Sequence, residues 1–214
     1  MNFLGLDLSS ANTGWCLIEE MGEARFPRVT LGSFTCRGED FNENCDALSD
    51  ELDALFKDWR SRKLKVDLAG IEAPLRALPK KKRVIRDEFF ASRTVEELAS
   101  NPHTMLILPA LQGAAYTMCR RYHIRTVPPK RMTPATWRKT CGVATRAPVG
   151  TPEKDRAGWS KRETKMWASS IGLRAGFVIK NMDQSDAFGI ACHVAIEGNS
   201  MDVRALIAGQ RRAA

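Results

Sequence analysis

Asn2-Phe3-Leu4-Gly5-Leu6-Asp7-Leu8-Ser9-Ser10-Ala11-Asn12-Thr13-Gly14-Trp15-Cys16-Leu17-Ile18-Glu19 is the stretch whose reading settles the fold class. Phe3 to Leu8 is an apolar run of strand length, and Gly14 to Glu19 is a second. The turn-rich Ser9 to Thr13 between them makes the two runs neighbouring strands. Val29 to Cys36 alternates and adds a third strand to an antiparallel meander. One residue breaks the pattern: Asp7 stands between Leu6 and Leu8. A carboxylate in so apolar a strand is costly to bury without a partner.

Outward from this meander, Leu48, Leu52, Leu55, Phe56 and Trp59 recur at helical spacing and predict a helix over Asp46 to Trp59. Val66 to Glu72 is a fourth strand, closed by Ala73-Pro74 and ending, like the first, on an acid. Leu75 to Pro102, with Pro79-Lys80-Lys81-Lys82-Arg83 near its start, reads as a long, exposed, basic insert. A helix is expected over Thr104 to Tyr122, with Leu108, Leu111, Ala115, Met118 and Cys119 on one face. Ile124 to Val127 is a short fifth strand, ended by Pro128-Pro129, and a helix follows over Pro134 to Thr140. Thr145 to Trp159 reads as a loop, Lys161 to Ile171 and Ser185 to Ile196 as helices, and residues after Gly198 as a weakly ordered tail. Three strands, a helix, a strand, a helix and a strand make an α/β order, solved most economically by one mixed sheet flanked by helices. The expected organisation is one domain over residues 1–198, with the insert at 75–102 and a tail at 199–214.

Composition narrows the class. The chain has 214 residues, 43% of them apolar and 27% charged, a globular balance that excludes disordered, collagenous and disulfide mini-protein classes. No stretch approaches the roughly 20 apolar residues of a membrane span. The first residues carry no basic segment, so no signal peptide is expected. The net charge of +8 is uneven: Met1 to Glu72 carries −6 and Ala73 to Ala214 carries +14. A basic body points to a polyanionic partner, most often nucleic acid, against the plainer reading of a solvated basic surface. The six cysteines form no CxxC pair, zinc spacing or disulfide framework, and Cys16, Cys119 and Cys192 read as small core residues in a reducing cytoplasm.

Two further acids, Asp183 and Asp186, open an apolar helix in Asp-Gln-Ser-Asp-Ala and share one helical face. Read singly, each acid has an ordinary explanation: Asp183 as a helix cap, Asp7 as a paired structural acid. Read together, four acids at strand ends and a helix start can converge on one point. Converging carboxylates repel unless protonated or bridged by cations. Hard divalent ions suit such oxygens, and Mg²⁺ suits a phosphodiester site. Two such ions activate an attacking water and stabilise a leaving oxygen.

Leu4-Gly5-Leu6-Asp7-Leu8-Ser9, followed by Thr13-Gly14-Trp15, resembles the first motif of RuvC-type Holliday junction resolvases. Gly70-Ile71-Glu72-Ala73-Pro74 is similar to their second motif, and Asp183-Gln184-Ser185-Asp186-Ala187 to their third. The resemblance spans roughly Met1 to Glu197 and implies an RNase H-like five-stranded mixed sheet flanked by helices. It implies a Mg²⁺-dependent nuclease (Mn²⁺ substituting, two ions per site), a homodimer and a branched-DNA partner in the cytoplasm of a bacterial or phage-infected cell. Asp7, Glu72, Asp183 and Asp186 each match a catalytic, metal-holding acid of that family. Two departures, Leu8-Ser9-Ser10 in the first turn and the long basic insert, suit a divergent phage or mobile-element member.

The basic residues are candidate DNA contacts. Lys80, Lys81, Lys82 and Arg83 follow Glu72 closely and read as a backbone grip, against a plain solvated loop. Lys161 and Arg162 belong to a second cluster around Trp159, which reads as a stacking platform or, somewhat better, as a core anchor. Lys130 and Arg131 are carried over from the resemblance. His193 lies two turns beyond Asp186 and reads first as a satisfied structural histidine. Gly113-Ala114-Ala115 permits close packing on the sheet or on a second subunit.

The sequence also leaves room for a nuclease on other branched DNA or RNA–DNA hybrid, for an actin-like nucleotide-binding phosphotransferase, and for a DNA-binding protein with structural acids. Against the phosphotransferase, the chain is short for two such domains and shows no second Gly-rich phosphate loop.

Overall fold

The computed structural model describes residues 1–21, 26–73, 80–87, 90–98, 102–156 and 158–213. The strands at 80–87 and 90–98, together with residues 102–105, 153 and 210–213, are described by their backbone alone. In chain order the elements are β1 (Asn2–Asp7), β2 (Thr13–Glu19), β3 (Arg28–Phe34), α1 (Phe41–Ser61), β4 (Leu68–Ile71), β5 (Lys80–Asp87) and β6 (Phe90–Leu98). Then follow α2 (Pro102–Arg121), β7 (Arg125–Thr126), a 3-10 turn (Pro129–Arg131), α3 (Pro134–Cys141), α4 (Glu153–Arg156), α5 (Trp159–Ala175), α6 (Met182–Glu197) and α7 (Met201–Ala213).

β1, β2, β3, β4 and β7 form one sheet in the order β3-β2-β1-β4-β7. The meander is antiparallel, and β4 and β7 join it in parallel with β1. The expected mixed five-stranded sheet is therefore present. Its central strand is β1, which explains why Phe3, Leu4 and Leu6 are wholly buried.

The period of two along a strand decides which face each side chain serves. Leu4, Leu6 and Leu8 pack with Leu48, Leu52, Phe56 and Trp59 of α1 and Leu111, Ala115 and Cys119 of α2. Phe3 of β1, with Cys16 and Ile18 of β2, packs on the other face with Phe188, Ala191 and Ala195 of α6 and with α3, α5 and α7. Asp7 is in phase with Phe3 and Gly5, so it faces α6. Glu72 is in phase with Gly70, which also meets α6 at Val194.

Gly5 has a packing task. A Cβ there would stand 2.3 Å from the Ala187 carbonyl oxygen and 2.4 Å from the Ala191 nitrogen. Its bare backbone lets α6 lie directly on β1.

Three expectations are corrected. The insert is not simply a loop: β5 and β6 pair as an antiparallel hairpin over Lys80–Asp87 and Phe90–Leu98, while 75–79, 88–89 and 99–101 lie outside the described residues. Its lysines masked a strand pattern of Val84, Ile85, Phe90, Thr94 and Val95. The register sets Lys81 opposite Glu97 and Lys82 opposite Glu96, opposite charges that favour the pairing. Thr145 to Trp159 contains the single turn α4, and α5 begins at Trp159 itself.

The tail is the third correction, because α7 is a helix with Val203, Leu206 and Ile207 buried in the α6-side core. Each buried aliphatic contributes about 1.5–3 kcal/mol. Removing residues 201–214 should therefore cost about 4 kcal/mol or more, measured by urea unfolding. A truncated chain as stable as the full one would show that α7 is dispensable.

Candidate active site

The site forms where β1 and β4 end side by side. The Glu72 backbone N–H donates to the Leu6 carbonyl at 3.1 Å, which sets Glu72 beside Asp7 across two parallel strands. Across the antiparallel pair, Asp7 stands opposite Gly14. A Cβ on Gly14 would meet the Asp183 carbonyl oxygen at 2.3 Å, so the first turn of α6 rests on β2 at that point. The acid-bearing end of α6 is thus lowered onto the strand that carries Asp7.

Three of the four acids come together. Asp7 is 5% exposed and Asp186 only 1%, while Glu72 is half-buried. Burial pushes the Asp7 carboxyl well above its ordinary range, and the nearby Glu72 and Asp186 push it further, with a hydrogen bond to Glu72. Lys161 pulls the other way. Burial likewise raises Asp186 to about 6, opposed by Arg138 and reinforced by Glu72. Asp183 sits one turn earlier, half-buried, with no hydrogen bond or ion pair to the other three. It is not the helix cap. Asn181 is, its side chain accepting from the Gln184 N–H at 2.8 Å, and Gln184 accepts in return from the Lys180 N–H. Asp183 is therefore free of capping duty.

Two adjacent residues of α3, which no sequence motif marked, hold the acids. Trp137 Nε1 donates to Glu72 Oε1 at 2.9 Å. Arg138 reaches Asp186 Oδ2 at 3.4 Å, donates from Nε to Thr164 at 3.3 Å and lies over the Trp137 ring at 4.4 Å. Both residues are buried. A buried arginine is retained only with such partners. Lys161 approaches the same Asp186 oxygen at 4.0 Å from the more exposed start of α5. The N-cap of α5, Gly158, brings no capping side chain, and the first turn holds no acid.

These groups line a cleft of about 270 Å³ formed by Leu8, Glu72, Pro134, Arg138, Lys161 and Asp186 among others. Asp186 Oδ1 is buried in it without a hydrogen-bond partner. An orphaned carboxylate oxygen beside two further acids is a donor set of hard oxygens, which fits a divalent cation such as Mg²⁺. Among the described residues no three acids or histidines already close around one point.

The other candidates are dispersed. Lys130 is exposed on the 3-10 turn, and Arg131 beside it is paired with Glu197 at 2.6 Å. Arg162 donates to the Asp155 carbonyl. Lys80 to Arg83 occupy β5. His193 is structural: its Nε2 donates to the Arg131 carbonyl at 2.9 Å and its Nδ1 meets the Thr140 hydroxyl at 3.0 Å. Burial lowers its pKa, which keeps the ring neutral. Gly113 opens on free space while Ala115 is buried against the α1-side core, so the small-residue patch is split between two sides of α2. Trp159 is half-exposed and belongs to neither core, which corrects the anchor reading.

No family model matches the chain, and no curated protein does. Among solved structures, RuvC of Thermus thermophilus superposes with a TM-score of 0.58 at 11% identity, covering 93% of this chain and 96% of that one. The same organism's RuvC in complex with a Holliday junction substrate gives 0.57 at 10% identity, covering 94% and 98%. A likeness that spans nearly both chains at so low an identity establishes the fold: this is a RuvC-like, RNase H-type sheet with its helices on both faces.

Proposed function

We propose that this protein is a divalent-metal-dependent endonuclease that cuts branched DNA, with the four-way junction as its principal substrate. The observation that carries the reading is the meeting of Asp7, Glu72 and Asp186 beside a cleft that Glu72, Asp186, Arg138 and Lys161 line, with Asp186 Oδ1 unpaired. A fold shared with a resolvase seen on a junction supports it.

Asp7, Glu72 and Asp186 would hold the cation, with Asp183 as a further oxygen one turn ahead. Bound there, such an ion supplies Lewis-acid stabilisation of the phosphate and lowers the pKa of the attacking water. The chain's own residues do the rest. Trp137 fixes one oxygen of Glu72. Arg138 keeps Asp186 in place. Lys161, at the mouth, meets the negative charge of the scissile phosphate. Cleavage would leave a 5′-phosphate and a 3′-hydroxyl, and a homodimer would present two such clefts to one junction.

The deciding test is cleavage of four-way, flap and linear DNA and of RNA–DNA hybrid, with Mg²⁺, Mn²⁺, Ca²⁺ or chelator. Cutting of the four-way junction in Mg²⁺ and Mn²⁺, with binding but little cutting in Ca²⁺, is expected from all-oxygen ligation. Undiminished cutting in excess chelator would remove the metal from the reading. Preference for flap or hybrid would move the substrate.

Replacing Lys80, Lys81, Lys82 and Arg83 by Ala should weaken junction and linear-duplex binding and make the log–log salt slope shallower. Titrations at several salt concentrations measure both. An unchanged slope would mean that Glu96 and Glu97, opposite two of these residues in register, already answer their charge.

A further inference from the structure

Beside the acid cleft opens a groove of about 460 Å³, lined by Arg146, Pro148, Val149, Arg156, Trp159 and Ser160 among others. Ser160 lines both cavities, so the groove and the cleft are neighbours along the start of α5. Among the described residues no acid lines the groove. Its floor is Trp159, half-exposed, outside both cores and with an indole N–H that no protein group accepts among the described residues. Val149 beside it is fully exposed. Arg146 has no ion-pair or hydrogen-bond partner among the described residues. Arg156 uses its Nε on the Thr151 carbonyl at 2.7 Å.

An aromatic side chain and two arginines lining one groove match one ligand chemistry closely. A nucleobase stacks on the ring, and the phosphate that follows it meets the cations. An acidic protein segment would satisfy the charges too. The neighbouring cleft favours the nucleotide, because Lys161, which lines that cleft, follows Trp159 and Ser160 directly on α5, within reach of one nucleotide strand.

We propose that this groove is a nucleotide subsite, in which an unpaired base next to the cut phosphate stacks on Trp159 while its flanking phosphate meets Arg146 and Arg156. The assignment rests on the nuclease reading and adds to it a requirement for an unstacked base. It gives a physical ground for choosing branched DNA, since at a branch the price of unstacking is lowest.

The experiment is an abasic scan. A four-way junction carries a single abasic nucleotide at successive positions around the branch and is titrated with the full chain in Ca²⁺. For the wild type, one position should cost about tenfold in affinity. For Trp159→Ala, intact junction should already bind about tenfold more weakly, and that same abasic position should cost nothing more. Trp159→Phe should restore most of the affinity, and Arg146→Ala, at an exposed position safe for folding, should make the salt slope shallower. Linear duplex, with no unpaired base, should bind Trp159→Ala and wild type alike. Identical abasic profiles for wild type and Trp159→Ala would overturn the subsite while leaving the nuclease reading standing, and would return the groove to another occupant such as an acidic protein segment. A wild type that binds no DNA would remove both.

Discussion

Asp7→Asn should lower cleavage by about a thousandfold or more while raising the thermal stability of the metal-free protein. The two effects have one cause. Asp7 is almost fully buried, next to Glu72 and Asp186, and each of those raises the cost of its charge. An amide of nearly the same shape removes the repulsion. Replacing a badly solvated buried charge contributes about 1–2 kcal/mol, which for a chain of this size is about 4 °C in Tm. The same substitution takes an oxygen anion from the cation's ligand set, so a melting scan should also show a smaller Mn²⁺-induced rise than in the wild type. Binding to the junction should be retained or tightened, because one negative charge fewer faces the phosphates. An Asp7→Asn protein that cuts at near wild-type rate would reject the assignment, and one that melts lower without metal would show that Asp7 is a structural acid. Asp186→Asn and Glu72→Gln should also abolish cutting, with Asp183→Asn milder.

The second large effect concerns stability. Arg138→Met should destabilise the fold by about 3 kcal/mol, or roughly 6–12 °C in Tm, because it leaves the buried Asp186 carboxylate with only the half-exposed Lys161 at 4.0 Å. Met keeps only the aliphatic stem, so the single variant loses guanidinium packing as well as charge. The double variant Arg138→Met with Asp186→Asn should recover much of it, a coupling that a thermodynamic cycle measures. No recovery would place the contribution of Arg138 in its contacts with Trp137 and Thr164 instead.

A pH dependence follows from the same pair. Asp186 titrates near 6 in the native protein against an ordinary 3.8, so between these values the native state binds more protons than the unfolded one. Metal-free stability should fall as pH rises through that window, by about 3 kcal/mol from this group alone, and level off above it. Divalent cation reverses the advantage, because it binds the ionised acid. The Mn²⁺-induced rise in Tm should therefore shrink as pH falls below about 6.

The meander, the parallel fourth strand and the covering helices were legible in the chain because strand and helix periodicity are local. Phe3 to Leu8 and the Leu48 to Trp59 face state their own burial. The acids at the ends of β1 and β4 were legible for a related reason, since a carboxylate in an apolar strand is costly wherever the chain goes. Element ends were less so. α1 begins at Phe41, where Asp40 caps it, not at Asp46, and β7 keeps only two residues of its expected run. The hairpin in the insert was hidden by lysines, whose charge says solvent while Val84, Ile85 and Val95 say strand. α7 was hidden because its apolar positions are buried by packing on α5 and α6, which local periodicity does not show.

By itself the sequence determined the mixed sheet and four candidate acids, of which the structure brings three together. Only the tertiary structure decided what their partners are. That Trp137 holds Glu72, that Arg138 holds Asp186, 48 positions later, and that Trp159 is left open beside the cleft depend on how α3 and α5 pack on α6. Local spacing encodes which face is buried. Which side chains meet there is set by packing between elements distant in sequence, and short-range pattern carries no record of that.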